Sequence, residues 1–356
     1  MDSLSQIALG AAVGVAVMGR RTPVWKSALW GAVAGTLPDL DVLIDHGDPI
    51  RNMVLHRAET HAPFWLTLFS LPFAALVTRL HGEWAHWRRW WLAMWLALVT
   101  HPLLDAMTVY GTQLGLPFTD YPYGVGSVFI IDPLYTLPLL VGTTWALLAR
   151  AGGGAATQFG LRANALGLVL STAYLGWGVV AQQQASQAAH AALATQGIAA
   201  ERVLVTPTAF NSLLWRVLVI DGDDYLEAYY SLLDQSQHSG SPTMAFERFP
   251  RATVLELALR GNDGVQRIRK FSKGFYAVSE HANIVRITDL RMGQEPSYVF
   301  SFAVAESSSP QIPLPRPQQI GIRADEACLL PWLWGRMRGE PLPSPARSCP
   351  RHTSIS

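Results

Sequence analysis

The feature that most constrains this chain is the crowding of long apolar runs into its first half. Crossing the hydrocarbon layer takes roughly 20 apolar residues as a helix. Residues 63–77, 90–104, 128–148 and 161–181 come near that length, and two shorter runs, 7–18 and 27–37, precede them. The short pair is rich in Gly and Ala, which lets helix backbones approach closely in a bilayer. It predicts a tightly packed helical hairpin. A single such run fits the core of a soluble protein, but several in one half of a chain point to a membrane domain. Composition agrees. Half of the residues are hydrophobic and 15% are charged, against about 25% charged in soluble domains.

Loop charges orient these segments. Arg20, Arg21 and Lys26 follow the first run, Arg79, Arg88 and Arg89 follow the third, and Arg150 and Arg162 flank a Gly-rich link after the fifth. Residues 105–127 contain no Lys or Arg. The positive-inside rule then places the basic loops in the cytoplasm. Residues 38–62, 105–127 and everything after about 183 fall on the opposite face, the periplasm of a bacterial inner membrane. Arg51 and Arg57 are exceptions, set among Asp39, Asp41, Asp45 and Asp48. No positive stretch precedes the first apolar run, so it reads as a retained segment rather than a cleaved signal.

The texture changes after the last run. Residues 184–199 are rich in Ala and Gln and read as a helical connector. Residues 216–220 are β-branched and end in the turn 221–224, with 225–233 as the partner strand. Residues 275–278, 283–291 and 298–304 alternate like strands, and 252–260 has helical spacing. The expected fold class is therefore an all-α multi-span membrane domain (1–183, about six segments) followed by a soluble α+β domain (200–308). Residues 309–356 read as a Pro-rich, partly disordered tail. Cys328 and Cys349 form no C-x-x-C pair, which argues against a cysteine zinc site and leaves one disulfide open. A net charge of +1 without a basic stripe offers no case for a nucleic-acid partner, and none is expected.

Three clusters carry chemistry. Asp39 and Asp41 are two residues apart at the end of the second apolar run, where an extended or turning backbone can aim both at one cation. His56 and His61 suit a turn that brings two imidazoles to one metal. His101 and Asp105 stand at i and i+4 on a predicted helix, stacked on one face. An ionisable residue near the end of an apolar segment is costly and marks a functional site. The charge rule, which used only Lys and Arg, puts all three clusters on the same face. Asp132 starts the fifth segment at that face, as a further ligand or a helix cap. Mixed His and Asp ligands suit zinc, manganese or iron better than calcium or magnesium. A centre of this kind lowers the pKa of bound water and polarises a phosphoryl or carbonyl oxygen. No G-x-S-x-G, P-loop or dinucleotide fingerprint is present.

At these residues the chain resembles a known family. The segments 1–6, 35–41, His56-Arg57 with Thr60-His61, 100–105, 110–113 and 131–135 are similar to YdjM-type inner-membrane metal-dependent hydrolases. The resemblance continues at 206–208, 215–216 and 271–275 and covers most of the chain to about residue 305. The chain departs from the family pattern at Gln6, at Ala58-Glu59 and at Ala62-Pro63. The family is grouped by similarity with zinc-dependent phospholipase C and P1-type nucleases, which implies phosphoester hydrolysis at a His/Asp centre. Carried over, the metal ligands are Asp39, Asp41, His56, His61, His101 and Asp105, holding zinc or alternatively manganese. Glu59 or Asp132 would act as base or orienting carboxylate, and Arg57 would hold an anionic phosphate. A lipid or other phosphoester at the membrane surface is the expected substrate. The alternative expectation is a non-catalytic membrane scaffold with a structural metal site and a soluble domain that binds a partner.

Overall fold

In a computed structural model, residues 1–149, 154–234, 244–308, 311–322 and 324–349 are described. Arg150 and the last residues of the expected tail, 350–356, lie outside them. The chain forms two units, one helical and one built on β-sheet.

The first unit comprises Met1–Ile44 and Leu55–Val179. Helices α1 (Ser3–Met18) and α2 (Val24–Thr36) pack backbone to backbone. Glycine makes this contact, since a Cβ on Gly10 would stand 2.2 Å from the Gly31 carbonyl oxygen. The chain then passes through a 3-10 turn, Leu37–Leu43, and a short helix α3 (Pro49–Leu55), all but the last residue of which belongs to the second unit. A second 3-10 turn, Glu59–His61, leads into α4 (Pro63–His81), which pairs with α5 (Trp87–Ala106). Trp90, Met94 and Leu98 of α5 are fully buried in a core shared with Phe73 and Val77 of α4.

Helix α6 spans Pro133–Leu148 and α7 spans Gly154–Thr195. The apolar run expected from residue 128 becomes helical only at Pro133. Proline disfavours helical geometry in the residue before it, and the Asp132 side chain caps the helix by accepting from the Leu134 N–H at 3.1 Å. The run at 161–181 and the expected connector up to Thr195 are one helix of 42 residues, roughly 60 Å long at 1.5 Å per residue. A polar clasp fixes this helix: Asn164 donates to the Ala12 carbonyl at 2.9 Å and accepts from Thr143 at 3.0 Å.

Among the described residues, α4 and α7 are long and apolar enough to cross a membrane, and α1 and α6 are shorter apolar helices. Much of this apolar surface faces outward, with Leu68, Leu76, Val141, Trp145, Val169 and Trp177 all exposed. Exposed apolar side chains in this number suit a membrane or partner contact.

The second unit comprises Asp45–Val54 and Val180–Ser356. Its first sheet is antiparallel in the order β1 (Arg202–Pro207), β2 (Leu214–Asp221), β3 (Asp224–Ser231), β4 (Glu247–Pro250). The 221–224 turn joins β2 to β3, as the sequence implies, with Gly222 at φ +58°. Ala181, Ala185, Ala189 and Leu193 form an i, i+4 stripe on α7 that is buried with Val205, Val217, Val219 and Leu226 of this sheet.

After α8 (Thr253–Ala258) and α9 (Asp263–Phe271) come β5 (Tyr276–His281), β6 (Ile284–Asp289) and a small hairpin, β7 (Gly293–Gln294) and β8 (Ser297–Tyr298). With β9 (Ser301–Glu306) and β10 (Ile312–Gln319) these build a second antiparallel sheet, ordered β10-β9-β6-β5. Val265, Ile268 and Phe271 form the buried face of α9, which lies against β6.

The stretch after 308, which its prolines mark as a tail, carries structure. Pro313, Pro315 and Pro317 alternate along β10, an edge strand, and an edge tolerates residues without an N–H. Helix α10 (Glu326–Met337) sets Trp332 edge-on to Tyr229 with ring centroids 4.8 Å apart. Cys328 and Cys349 are disulfide-bonded, tying α10 to the short helix α11 (Pro345–Ser348).

Candidate metal centre

Four side chains of the first unit converge: Asp39 from the 37–43 turn, His61 from the 59–61 turn, and His101 and Asp105 from one face of α5. Their ligand-type atoms all lie within 4.8 Å of one another. His61 Nε2 is 3.3 Å from Asp39 Oδ1 and 3.4 Å from Asp105 Oδ2. His101 Nε2 is 3.4 Å from Asp39 Oδ1, 3.5 Å from Asp105 Oδ2 and 3.1 Å from His61 Nε2.

The far nitrogen of each imidazole decides what the near one presents. His101 Nδ1 is 2.7 Å from the Gly35 carbonyl oxygen. A carbonyl only accepts, so Nδ1 carries the proton and a neutral ring turns a lone pair inward from Nε2. The Thr60 hydroxyl donates to Asp41 Oδ2 at 2.7 Å. Its oxygen, 2.9 Å from His61 Nδ1, then accepts from that nitrogen. The Nε2 of neutral His61 is also a bare lone pair.

Two lone pairs and two carboxylate oxygens thus face one another, and Asp105 Oδ2 is buried with no hydrogen bond among the described residues. Such an arrangement is repulsive unless a cation or a proton sits within it. Zinc bound by His and carboxylate at about 2.0–2.2 Å in a tetrahedron requires ligand–ligand edges of about 3.3–3.6 Å. Five of the six edges measure 3.1–3.5 Å, close to that range, and the sixth, Asp39 to Asp105, is within 4.8 Å. Burial alone would raise the pKa of Asp39, but His101 and His61 hold its carboxyl below the usual carboxylate range. Burial also works against a proton on His61, yet the Asp105 and Asp39 carboxylates outweigh it and raise that pKa. A proton and a divalent cation therefore compete for one place.

The profile of the YdjM inner membrane protein family matches residues 1–185. The chain belongs to that family. It is also similar to the protein YfhP of Bacillus subtilis (strain 168), at 24% identity over 317 residues, covering 84% of this chain and 89% of that protein. No solved structure matches. The family match contains every residue of the cluster, whereas YfhP extends the likeness into the sheet unit.

The other expected site residues surround the cluster. Asp41 turns away from it: Oδ1 lies 2.7 Å from His56 Nδ1, and Oδ2 accepts from the Arg57 N–H at 3.0 Å and from Thr60. Asp41 and His56 thus form a polar layer behind His61. Burial would raise the pKa of Asp41, but His56 and Thr60 bring it down.

Arg57 is buried and takes a positive φ of 66°, a strained backbone for a side chain with a Cβ. Its guanidinium lies over the Tyr110 ring at 4.7 Å. Nε is 3.2 Å from Asp105 Oδ2 but off the line of a hydrogen bond, and Nη1 has no hydrogen-bond partner among the described residues. Glu59 is exposed on the 59–61 turn. Asp132 stands outside the cluster; it caps α6 and accepts from the Tyr174 hydroxyl at 2.8 Å.

Several contributors lie in the family-like segments, but the residue pattern assigns them no role. The Gly35 carbonyl and the Thr60 hydroxyl fix the imidazoles. Gln6 donates to Asp105 Oδ1 at 3.0 Å and to the His101 carbonyl at 3.2 Å, and the Met1 amine also donates to Asp105 Oδ1. Gln6 stood out only as a departure from the family pattern, and its place beside Asp105 makes it part of the site.

Proposed function

We propose that this protein is a multi-span inner-membrane hydrolase that uses a divalent metal, zinc best, to cleave a phosphoester at the periplasmic face. The observation that carries the reading is the meeting of an acceptor-only His/Asp cage with a buried guanidinium that keeps unpaired donors. Asp39, His61, His101 and Asp105 would hold the ion. When bound, it supplies Lewis-acid polarisation of a phosphoryl oxygen and a supply of nucleophile near neutral pH. Thr60 and Gly35 keep Nδ1 of each imidazole protonated, and Asp41 anchors Thr60. Arg57, with Nη1 unpaired, offers a donor to a non-bridging phosphate oxygen. Glu59, exposed on the turn that carries His61, would take up the released proton. Asp132 holds the start of α6.

A lipid-linked phosphoester suits this site. Leu40, Val42, Leu43 and Ile44 are all exposed beside Asp39 and Asp41, an apolar margin suited to a bilayer surface. A disulfide in the second unit is consistent with an oxidising compartment. Together with the loop charges it supports a periplasmic second unit.

One observation favours a second reading. Four protein ligands make a closed set, the habit of structural zinc sites. The protein would then be a scaffold stabilised by its metal, with the sheet unit binding a partner. Purified protein assayed on a phosphoester panel, with zinc or manganese added, separates the two. The hydrolase reading expects metal-dependent turnover that His101→Ala abolishes. Turnover that survives chelation, or none in a zinc-loaded protein that chelation merely destabilises, defeats it.

A further inference from the structure

The sheet unit holds a cavity lined by side chains that take no part in the metal cage. In the second sheet, Ala277 pairs with Thr288, which pairs with Ser301, while Ser279 pairs with Arg286. Directly paired residues share a face. This face therefore carries small and hydroxylated side chains, whereas Val278, Ile287 and Phe302 on the other face are fully buried and apolar. The polar face is not a solvent face, because Thr288 and Ser301 are buried. Their hydroxyls bond to each other at 2.8 Å, and Arg286 Nε donates to Ser279 at 2.6 Å.

The small side chains leave a cavity of about 200 Å³. Its other wall is aromatic. Tyr225 of β3 and Phe249 of β4 stack with centroids 5.4 Å apart, and Tyr298 lines the cavity beside them. Glu295 also reaches the lining, and its carboxylate accepts from the Tyr225 hydroxyl. The cavity is large enough to hold water, and it sets hydroxyls and aromatic rings around one space.

We propose that this cavity binds one neutral saccharide ring. A sugar ring has an apolar C–H face, which suits the aromatic wall, and a rim of hydroxyls, which suits Ser279, Thr288, Ser301 and Arg286. The lining holds one guanidinium and one carboxylate, so its charges balance and neither an anion nor a cation is selected. The volume is below the roughly 300–1,000 Å³ of sites for drug-sized ligands, which fits a single ring.

The test uses the full chain in a detergent whose head group contains no sugar. Hexoses, N-acetylhexosamines and methyl glycosides are titrated by calorimetry and saturation-transfer NMR, with cyclohexanol, glycine and inorganic phosphate as comparators. A saturable saccharide isotherm is expected, unchanged by chelation. Phe249→Ala should weaken it at least tenfold, and Ser301→Leu, which fills the void, should abolish it. Phe249 is half-buried on an edge strand, so it decides the matter if Ser301→Leu fails to fold. Absence of saturation by every sugar overturns the proposal, as does wild-type binding in folded Phe249→Ala. Preference for cyclohexanol, glycine or phosphate overturns the ligand class.

Discussion

Replacing Thr60 with Val removes one hydroxyl and almost no volume. That hydroxyl accepts from His61 Nδ1 at 2.9 Å and donates to Asp41 Oδ2 at 2.7 Å. Without it, the next acceptor for His61 Nδ1 is Asp41 Oδ2 at 3.5 Å, too far for a good hydrogen bond. The ring is then free to carry its proton on Nε2, where it faces the cage and blocks a ligand position. Loss of such an orienting partner costs about 10–100-fold in metal affinity, or about 1.4–2.8 kcal/mol at 1.4 kcal/mol per tenfold. Zinc affinity would be measured by competition with a chromophoric chelator, for wild type, Thr60→Val and Thr60→Ser. Thr60→Ser keeps the hydroxyl and should stay close to wild type. If Thr60→Val binds zinc as tightly as wild type, the tautomer argument fails, and with it the claim that the cage presents two lone pairs. If both variants weaken equally, the effect comes from packing and not from the hydrogen bond.

Gly31→Leu should lower the thermal unfolding midpoint sharply. Any side chain there meets the Gly10 carbonyl oxygen at 2.2 Å, and overpacking costs about 1–3 kcal/mol even without a backbone clash; a wild-type midpoint would refute the reading of the α1–α2 contact. The raised His61 pKa sets a pH dependence. In metal-free protein a protonated His61 stabilises the fold fully below its ordinary value of 6.5, and this is lost as pH rises through the folded value. Zinc displaces that proton, so the gain in melting temperature on adding zinc should grow as pH rises through that range; a pH-independent gain would rule out the competition. For orientation, cysteines at Phe118, which is 82% exposed, and Trp84 should be labelled from opposite sides of intact inner membranes. The native cysteines are bonded to each other. Labelling of both from one side would overturn the topology.

The parts of the site that were legible in the sequence are those set by local geometry. His101 and Asp105 at i, i+4 in an apolar helix share a face by helical pitch alone, and the structure brings them together. The roles of Asp39 and Asp41 could not be separated in this way. They sit on a 3-10 turn with roughly three residues per turn, so neighbours two apart point about two-thirds of a turn from each other. One therefore meets the imidazole pair and the other meets His56 and Thr60. Gly35 and Thr60 act through a carbonyl and a hydroxyl that only tertiary approach brings to the rings, and no residue pattern announces that. In the sheet unit the β2–β3 hairpin was readable from its turn and its β-branched residues. Strand β10 was not, because alternating prolines resemble disorder until the strand is known to lie at an edge.

The closed count of ligands does not by itself make the centre structural. A purely structural site gains nothing from a second buried charge beside it, and burying a guanidinium is expensive unless it is paired and hydrogen-bonded. Arg57 is 5% exposed, adopts a strained backbone and leaves Nη1 without a hydrogen-bond partner among the described residues. Tyr110 and the off-line approach to Asp105 compensate only part of that cost. Strain and unpaired donors gathered at one residue support the proposal of an anion site there. Asp39, whose side chain is 18% exposed where His61 and His101 are fully buried, is the member of the cage that solvent reaches. Arg57→Lys separates the readings: a point charge replaces the planar fork. A structural centre would keep its zinc and its melting temperature with no other consequence. A hydrolase would keep both and show a raised KM for phosphoester, because the loss falls on the anion and not on the cage.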